Sequence, residues 1–359
     1  MSMSMRSIGV ACAVHRAGSK RIGRLGRAAL STALLAALSA CAGDTPATAL
    51  PTLKLDPSRT TVSGLSSGAY MASQVHLAFS DHISGAALYA GGPYGCAEGS
   101  LETALGRCLN PAADKVPDVA HLAAVVRERA ASGKVAPLTG LVGDKVQVFR
   151  GALDVTVGAS VSLASAELYS QLGGAVVEED HARAIAHTFP TLDAGAACDK
   201  SESPFLGKCG FDAAASIFRL LYGDAPAAAG AGNGELRSFD QGLYLDDGKD
   251  AQLADKGFVY VPKACAAGAS CALHIAFHGC QQNADTVGEA FVRDAGYNRW
   301  ADAYAVVVLY PQTRATFAPL NPKACWDWWG YSGAEYDTRS GVQLRWVARA
   351  ATALGAPLE

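Results

Sequence analysis

The stretch Thr61-Val62-Ser63-Gly64-Leu65-Ser66-Ser67-Gly68 decides the fold, because it holds Gly-x-Ser-x-Gly with Ser66 at its centre. Residues 60–63 are typical of a strand, and the apolar run 69–79 is typical of a helix. A sharp turn between the two would expose the serine hydroxyl, and glycines on either side remove Cβ atoms that would clash there. The stretch therefore predicts a nucleophile elbow, and with it the transfer of an acyl group from an ester to water.

Apolar segments of strand and helix length alternate along the rest of the chain. We expect further strands at 83–90, 145–149, 183–187, 258–262, 272–277 and 305–310. We expect further helices at 117–131, with Pro117 in its first position, and at 163–172, 211–222, 288–304 and 341–354. This alternation predicts an α/β fold with a mostly parallel sheet flanked by helices. The Ala/Gly-rich residues 225–234 are interpreted as a surface connection inside a single domain.

The N-terminus has the pattern of a secretory signal peptide, predicted at residues 1–40. A positively charged region at 16–27 precedes an apolar core at 28–40 that is too short to span a membrane. Leu38-Ser39-Ala40-Cys41 resembles the lipobox of bacterial lipoproteins, which predicts lipidation and membrane anchoring at Cys41. The alternative is ordinary cleavage with Cys41 incidental. Residues 41–51 are predicted to be a short tether, and residues 52–359 the catalytic domain.

Eight cysteines lie beyond the leader, and an even number in an exported chain predicts disulfides. Eight cysteines allow about 105 pairings, so spacing alone does not decide between them. Closeness in sequence favours Cys96–Cys108, Cys198–Cys209 and Cys265–Cys271, which leaves Cys280–Cys325. A metal site at these cysteines is a weak alternative because no Cys-x-x-Cys pair is present, and no cofactor is expected. The net charge of −3 and the lack of a basic block argue against a nucleic-acid partner.

A nucleophilic serine needs a histidine to take its proton and an acid to orient that histidine. In this fold class the order along the chain is serine, acid, histidine. Asp154 follows the predicted strand 145–149, and His187 ends the segment 183–187, which is predicted as a strand running into a loop. Asp144 is a rival for the acid. The rivals for the histidine are His181, His274 and His278.

Two backbone amides must bind the oxyanion, and the first is expected to be that of Ser67, directly after the nucleophile. The second normally comes from a His-Gly turn upstream of the serine, but here that turn is Phe277-His278-Gly279-Cys280-Gln281-Gln282, downstream of it. A circular permutation that moved the first strands to the C-terminal half explains this order.

Four motifs in the same order resemble the poly(3-hydroxybutyrate) depolymerase family, in its permuted single-domain type. They are 64–71 (GLSSGAYM), 90–96 (AGGPYGC), 277–281 (FHGCQ) and 321–331 (NPKACWDWWGY). The resemblance implies an α/β-hydrolase with a Ser-Asp-His triad that cleaves ester bonds of polyhydroxyalkanoates without a metal. It implies Ser66 as nucleophile, Asp154 as acid and His187 as base. The amides of Ser67 and Cys280 would bind the oxyanion.

The aromatic residues Trp326, Trp328, Trp329 and Tyr331 have two interpretations: a buried cluster beside a disulfide, or an apolar wall for substrate. Trp326 is the favoured substrate contact because it adjoins Cys325, and His278 is a further candidate. We see no room after the closing helix for a separate substrate-binding domain. The substrate is therefore expected to be either the polymer, adsorbed on the domain's own surface, or soluble oligomers.

Two other functions stay open at this point. The same triad would serve a carbohydrate-ester hydrolase, such as a feruloyl or acetyl esterase. A non-catalytic surface lipoprotein that binds polyester is the alternative from another class. The predicted location is extracellular, or the periplasm and outer membrane if Cys41 is lipidated. The oligomeric state stays open.

Overall fold

The computed structural model describes residues 48–224 and 232–359, so the predicted signal peptide and Cys41 lie outside the described residues. The described residues form one compact unit. The end of the predicted tether is part of this unit: the Leu50 N–H donates to the Tyr244 hydroxyl (2.7 Å), and Thr48 O accepts from the Asp240 N–H (2.9 Å). The domain therefore includes Thr48, four residues before its predicted start.

Among the residues that the structure describes, eight strands form the main sheet and five short strands form two small sheets. The strands are β1 (Leu55–Leu65), β2 (Ile83–Tyr89), β3 (Lys145–Phe149), β4 (Val176–Asp180), β5 (Phe189–Thr191), β6 (Ala196–Ala197), β7 (Leu206–Lys208), β8 (Glu235–Asp240), β9 (Lys256–Val261), β10 (Cys271–Phe277), β11 (Val306–Tyr310), β12 (Thr316–Phe317) and β13 (Leu320–Asn321). The main sheet has the order β4-β3-β2-β1-β10-β11-β9-β8. The six strands from β4 to β11 are parallel, and β9 and β8 are antiparallel additions at one edge.

This order agrees with the predicted permutation. The strand that leads into Ser66, β1, lies in the middle of the sheet although it comes first in the described chain. Its neighbour β10 comes from the C-terminal half, and Gly64 of β1 pairs with Phe277 of β10. The turn predicted to bind the oxyanion therefore lies beside the elbow, because parallel neighbours end at the same edge of a sheet.

Helices cover the sheet. They are α1 (Ser67–Ala78), α2 (Leu101–Arg107), α3 (Val119–Ala131), α4 (Ala159–Leu172), α5 (Ala213–Tyr222), α6 (Lys263–Ala266), α7 (Ala284–Val287), α8 (Ala290–Asp294), α9 (Tyr297–Tyr304) and α10 (Val342–Leu354). All twelve residues of α1 are buried, since it lies directly behind the elbow strand. Within the described ranges, no helix is long and apolar enough to cross a membrane.

Several predicted elements differ from the structure in type or extent: β1 and α4, for example, begin at Leu55 and Ala159, earlier than predicted. Residues 183–187 form no strand, and β5 begins only at Phe189. The predicted helix 288–304 is divided at Gly296, whose φ of 95° is left-handed. Helix α3 begins at Val119 rather than at Pro117, because the Asp118 carboxylate accepts from the His121 N–H (3.0 Å) and caps the helix.

The four predicted disulfides are formed, with S–S distances of 2.00 to 2.08 Å. Three close short loops, and Cys280–Cys325 joins segments 45 residues apart. This long-range disulfide fastens the turn after β10 to the loop that carries three tryptophans. The Gln281 N–H reinforces the link by donating to Lys323 O (2.7 Å).

Candidate active site

Ser66 occupies the sharp turn between β1 and α1. Its φ of 57° is unusual for a residue other than glycine, and such strain is common at catalytic nucleophiles. The Ser66 N–H donates to Tyr89 O on β2 (2.8 Å), which ties the turn to the sheet. A Cβ atom on Gly64 would lie 2.2 Å from Gly68 O, and one on Gly68 would lie 2.3 Å from Phe277 O. Only glycine fits at these two positions.

Ser66, His187 and Asp154 form a continuous hydrogen-bonded relay. The Ser66 hydroxyl lies 3.0 Å from His187 Nε2, and His187 Nδ1 lies 2.8 Å from Asp154 Oδ2. The other carboxylate oxygen of Asp154 accepts from the N–H groups of Thr156 (2.8 Å) and Val157 (2.9 Å). Because a carboxylate can only accept a hydrogen bond, His187 Nδ1 carries the proton and donates to Asp154. His187 Nε2 is then free to accept from the Ser66 hydroxyl.

Backbone contacts hold the loops of the acid and the histidine together. The Ala152 N–H donates to Arg183 O (2.7 Å), and the Leu153 N–H donates to Ile185 O (3.1 Å). A Cβ atom on Gly151 would lie 1.9 Å from Ile185 O, so this approach requires glycine. These bonds explain why residues 183–187 form no strand, since their carbonyls accept from the loop that carries Asp154 rather than from a neighbouring strand.

Arg150 is a residue of the site that the sequence did not indicate. Its guanidinium donates to Asp154 O (2.5 Å) and to Val157 O (2.8 Å), so it braces both ends of the acid loop. An arginine at the end of a strand has no spacing pattern that marks this role. The only available signal was its place immediately before Gly151.

The rival acid and two of the rival histidines are committed to contacts elsewhere. Asp144 lies 3.0 Å from Nε2 of the buried His76. His274 is fully buried between the hydroxyls of Thr61 and Ser63, and burial lowers its pKa to about 3. His181 pairs with Glu179 (3.1 Å). None of them has a hydrogen bond to Ser66.

The two candidate oxyanion donors occupy equivalent places just beyond the ends of neighbouring strands. Ser67 and Cys280 each lie three residues beyond the pair Gly64–Phe277. Ser67 is the first residue of α1, where a helix leaves its N–H groups without partners. Within the residues that the structure describes, neither the Ser67 N–H nor the Cys280 N–H has an acceptor. Both amides are therefore available to a developing negative charge.

His278 lies behind the turn rather than in contact with solvent, contrary to its prediction as a substrate contact. It is fully buried, and burial lowers its pKa to about 4. Its Nε2 accepts from the Thr313 N–H (3.2 Å), so Nδ1 carries the proton and donates to Gly279 O (2.7 Å). The neutral ring thus holds a backbone carbonyl of the turn 277–282, which is predicted to bind the oxyanion.

The tryptophan loop has the geometry of the buried aromatic cluster. Trp326 has no exposed surface and packs edge-on against Phe277 at a centroid distance of 5.0 Å, which contradicts its selection as a direct substrate contact. Trp328 stacks on Tyr70 (4.5 Å), and Trp329 packs against Tyr331 (4.9 Å). Of the four predicted aromatic contacts, Tyr331 is half-buried, Trp328 and Trp329 keep 6% and 7% of their surface exposed, and Trp326 keeps none.

The loop is organised by Asp327, another residue that the sequence did not single out. Its carboxylate accepts from the N–H groups of Gly330 (2.7 Å), Tyr331 (3.0 Å) and Ser332 (2.7 Å). Burial raises the pKa of Asp327, and these hydrogen bonds oppose the rise. In the described part of the chain, no group of three or more His, Cys, Asp or Glu side chains is placed to bind a metal ion.

Residues 257–352 match the protein family described as Esterase PHB depolymerase. The chain is 40% identical over 303 residues to a poly(3-hydroxybutyrate) depolymerase of Delftia acidovorans, a match that covers 82% of this chain and 59% of that protein. It is 35% identical over 323 residues to a polyhydroxybutyrate depolymerase of Talaromyces funiculosus, covering 84% of this chain and 91% of that protein. The chain thus spans less than two thirds of the bacterial relative and nearly all of the fungal one.

Two solved structures share the fold with a TM-score of 0.77, and each is covered completely by 86% of this chain. One is the PHB depolymerase from Penicillium funiculosum, 33% identical in sequence. The other, 32% identical, is a PHB depolymerase with a serine-to-alanine substitution in complex with an R3HB trimer.

Proposed function

Because this chain belongs to the poly(3-hydroxybutyrate) depolymerase family, we propose that it hydrolyses the ester bonds of that polyester, or of its soluble oligomers, through an acyl-enzyme on Ser66. The observation that carries the proposal is the relay from Ser66 through His187 to Asp154, with distances of 3.0 and 2.8 Å. A polyester-binding protein without catalytic activity has no need of this relay.

In the first half of the reaction, His187 Nε2 takes the proton of Ser66 as its oxygen attacks the ester carbonyl carbon. Negative charge then develops on the carbonyl oxygen, which the amides of Ser67 and Cys280 would bind. Asp154 stabilises the positive charge on the imidazole without taking its proton. The ester C–O bond breaks, and His187 returns the proton to the departing alcohol.

In the second half, water replaces the alcohol. His187 takes a proton from water as the water oxygen attacks the acyl-serine carbonyl, and the same two amides bind the second oxyanion. The acyl C–O bond to Ser66 breaks, and the proton on His187 returns to the serine oxygen. The product is a carboxylic acid, and the enzyme regains its starting state.

The names of the relatives favour a polyester over a carbohydrate ester, since both curated relatives that match along most of this chain are polyester depolymerases. The complex of the related structure with an R3HB trimer favours oligomers as substrates as well. Export is part of the proposal, supported by four disulfides, because such bonds persist in oxidising compartments. Lipidation at Cys41 is proposed on the sequence pattern alone.

The test is clearing of a poly(3-hydroxybutyrate) suspension by the mature protein beside a Ser66→Ala variant, with both also assayed on p-nitrophenyl butyrate. Clearing that is lost in the variant is the expected result. Ser66-dependent cleavage of R3HB trimer without clearing would restrict the substrate to oligomers. Cleavage of feruloyl or acetyl sugar esters, with no action on polymer or trimer, would overturn the polyester assignment.

A further inference from the structure

The peptide group between Gly279 and Cys280 is held at its carbonyl end. Gly279 O accepts from His278 Nδ1 (2.7 Å) and from the Gln282 N–H (3.2 Å), which closes a four-residue turn. Gln281 has a φ of 59°, as the third residue of a type II turn requires. Because a trans peptide group is planar, its carbonyl and N–H point in opposite directions. Fixing Gly279 O therefore fixes the direction of the Cys280 N–H, the candidate oxyanion donor.

The Gln282 side chain holds the preceding peptide group of the same turn. Its Oε1 accepts from the Gly279 N–H at 2.8 Å. The side chain is fully buried, and it lies between the turn and the segment that precedes β7. Gly279 is thus held from both sides, by His278 at its carbonyl and by Gln282 at its N–H.

The other end of the Gln282 amide reaches the segment that is paired with the catalytic histidine. Gln282 Nε2 donates to Pro204 O (3.1 Å) and to Phe205 O (3.0 Å). Phe205 O also accepts from the Phe189 N–H (2.8 Å), and Phe189 lies two residues after His187. One side chain therefore connects the oxyanion turn to the backbone that carries the base.

The chemistry of glutamine suits this place better than that of its isosteres. Both hydrogens of Nε2 face carbonyl oxygens, and Oε1 faces an N–H group, so the reversed amide would set oxygen against oxygen. Methionine would fill the space without either bond. Glutamate would keep the acceptor, and it would regain one donor only as the neutral acid.

We infer that Gln282 is a positioning residue for ester hydrolysis: it sets the distance between the Cys280 amide and His187, so that proton transfer and oxyanion binding occur on one carbonyl group. The inference rests on the proposed function of the site. Gln282 touches no reacting atom. Its effect appears in the rate of the chemical step rather than in the binding of the ground state.

The test compares Gln282→Met with Gln241→Met on p-nitrophenyl butyrate, with active sites counted by titration with an organophosphonate. Gln241 is a matched control: it is also fully buried, its Nε2 donates to Ala254 O (2.7 Å) and Gln312 O (2.8 Å), and its Oε1 accepts from the Gln312 N–H (3.0 Å). Each substitution therefore removes three buried hydrogen bonds, two in which the glutamine donates and one in which it accepts.

We expect kcat per titrated site to fall ~10- to 100-fold in Gln282→Met with KM nearly unchanged, since a small displacement costs less than the loss of a whole donor. Gln241→Met should keep kcat per titrated site while losing similar stability. Affinity for butylboronic acid, whose tetrahedral adduct occupies the oxyanion site, should fall in parallel with kcat in the Gln282 variant.

Gln282→Glu keeps the proposal testable if the methionine variant does not fold. Burial beside two carbonyls would keep the introduced carboxyl neutral, with one donor restored. Its kcat per site should therefore lie between those of Gln282→Met and the natural protein. Equal kcat per site in every folded Gln282 variant and the natural protein would overturn the inference. Natural protein that is no more active than Ser66→Ala would instead overturn the proposed function.

Discussion

Replacing Gly68 with alanine sets two physical effects against each other. Gly68 is the second residue of α1, and alanine inside a helix is favoured over glycine by about 0.5 to 1 kcal/mol. The new Cβ atom, however, would lie 2.3 Å from Phe277 O and 2.5 Å from His278 O. Both atoms belong to backbone, so no side chain can rotate away. The clash must be relieved by separating the elbow from the strand end that carries the oxyanion turn.

The required movement follows from these distances. Real Cβ atoms essentially never lie closer than 3.0 Å to such a neighbour, so the Phe277 carbonyl must move by at least 0.7 Å. Displacements of about 1 Å at a catalytic group cost on the order of 10²-fold in rate, which is about 2.7 kcal/mol of barrier. Overpacking of this kind costs about 1 to 3 kcal/mol of stability, which exceeds the gain in helix propensity.

We therefore expect Gly68→Ala to lower kcat per titrated site by roughly 10²-fold on p-nitrophenyl butyrate and to lower the melting temperature. Gly106→Ala is the control, because Gly106 lies within α2 with no atom inside 4 Å of its virtual Cβ. That variant should keep full activity and melt at the same or a higher temperature. A Gly68→Ala protein with kcat within a factor of about three of the natural protein would refute the claim that this close approach sets the oxyanion geometry.

Three other predictions concern buried groups. Asp154→Asn should lower kcat by about 10⁴-fold on the same ester, because it favours the wrong tautomer of His187; a loss below tenfold would contradict the relay. His274 has a pKa of about 3 against an ordinary 6.5, so the unfolded chain binds a proton that the folded chain does not, and stability should fall as pH drops from 6.5 toward 3. Calorimetry of His274→Gln should show a shallower pH dependence, by up to about 1.4 kcal/mol per pH unit, and an unchanged slope would contradict the assignment. Trp326→Ala should cost about 3 to 5 kcal/mol of stability, as expected for a fully buried tryptophan; a raised KM at an unchanged melting temperature would instead make it a substrate contact.

The elbow, the parallel sheet and the four disulfides could be predicted because local chemistry specifies them. Gly64 and Gly68 mark the turn around Ser66, and short spacings favour three of the four cysteine pairs. Asp154 and His187 were predicted from their places near strand ends. The structure brings them together with Ser66, even though the strand expected before His187 does not exist.

The features that could not be predicted from the sequence depend on contacts between segments far apart in the chain. Edge strands β4 and β8 carry several charged residues and little apolar patterning, so periodicity did not indicate them. The burial of Trp326 and His278 depends on how the tryptophan loop packs against β10, which a residue's own neighbours do not reveal. The two carbonyl oxygens that accept from the Gln282 side chain lie more than 70 residues away along the chain.

Neighbouring strands β1 and β10 are synthesised at very different times, because they lie far apart in the chain. A ribosome completes Ser66, Asp154 and His187 well before it reaches β10, which supplies one of the two neighbours of the elbow strand. Until then one edge of β1 has no partner, and the segment that ends in Cys280 does not exist. The three residues of the relay are thus synthesised early. The strand β10 beside the elbow, and the turn that ends it, are synthesised only in the last third of the chain.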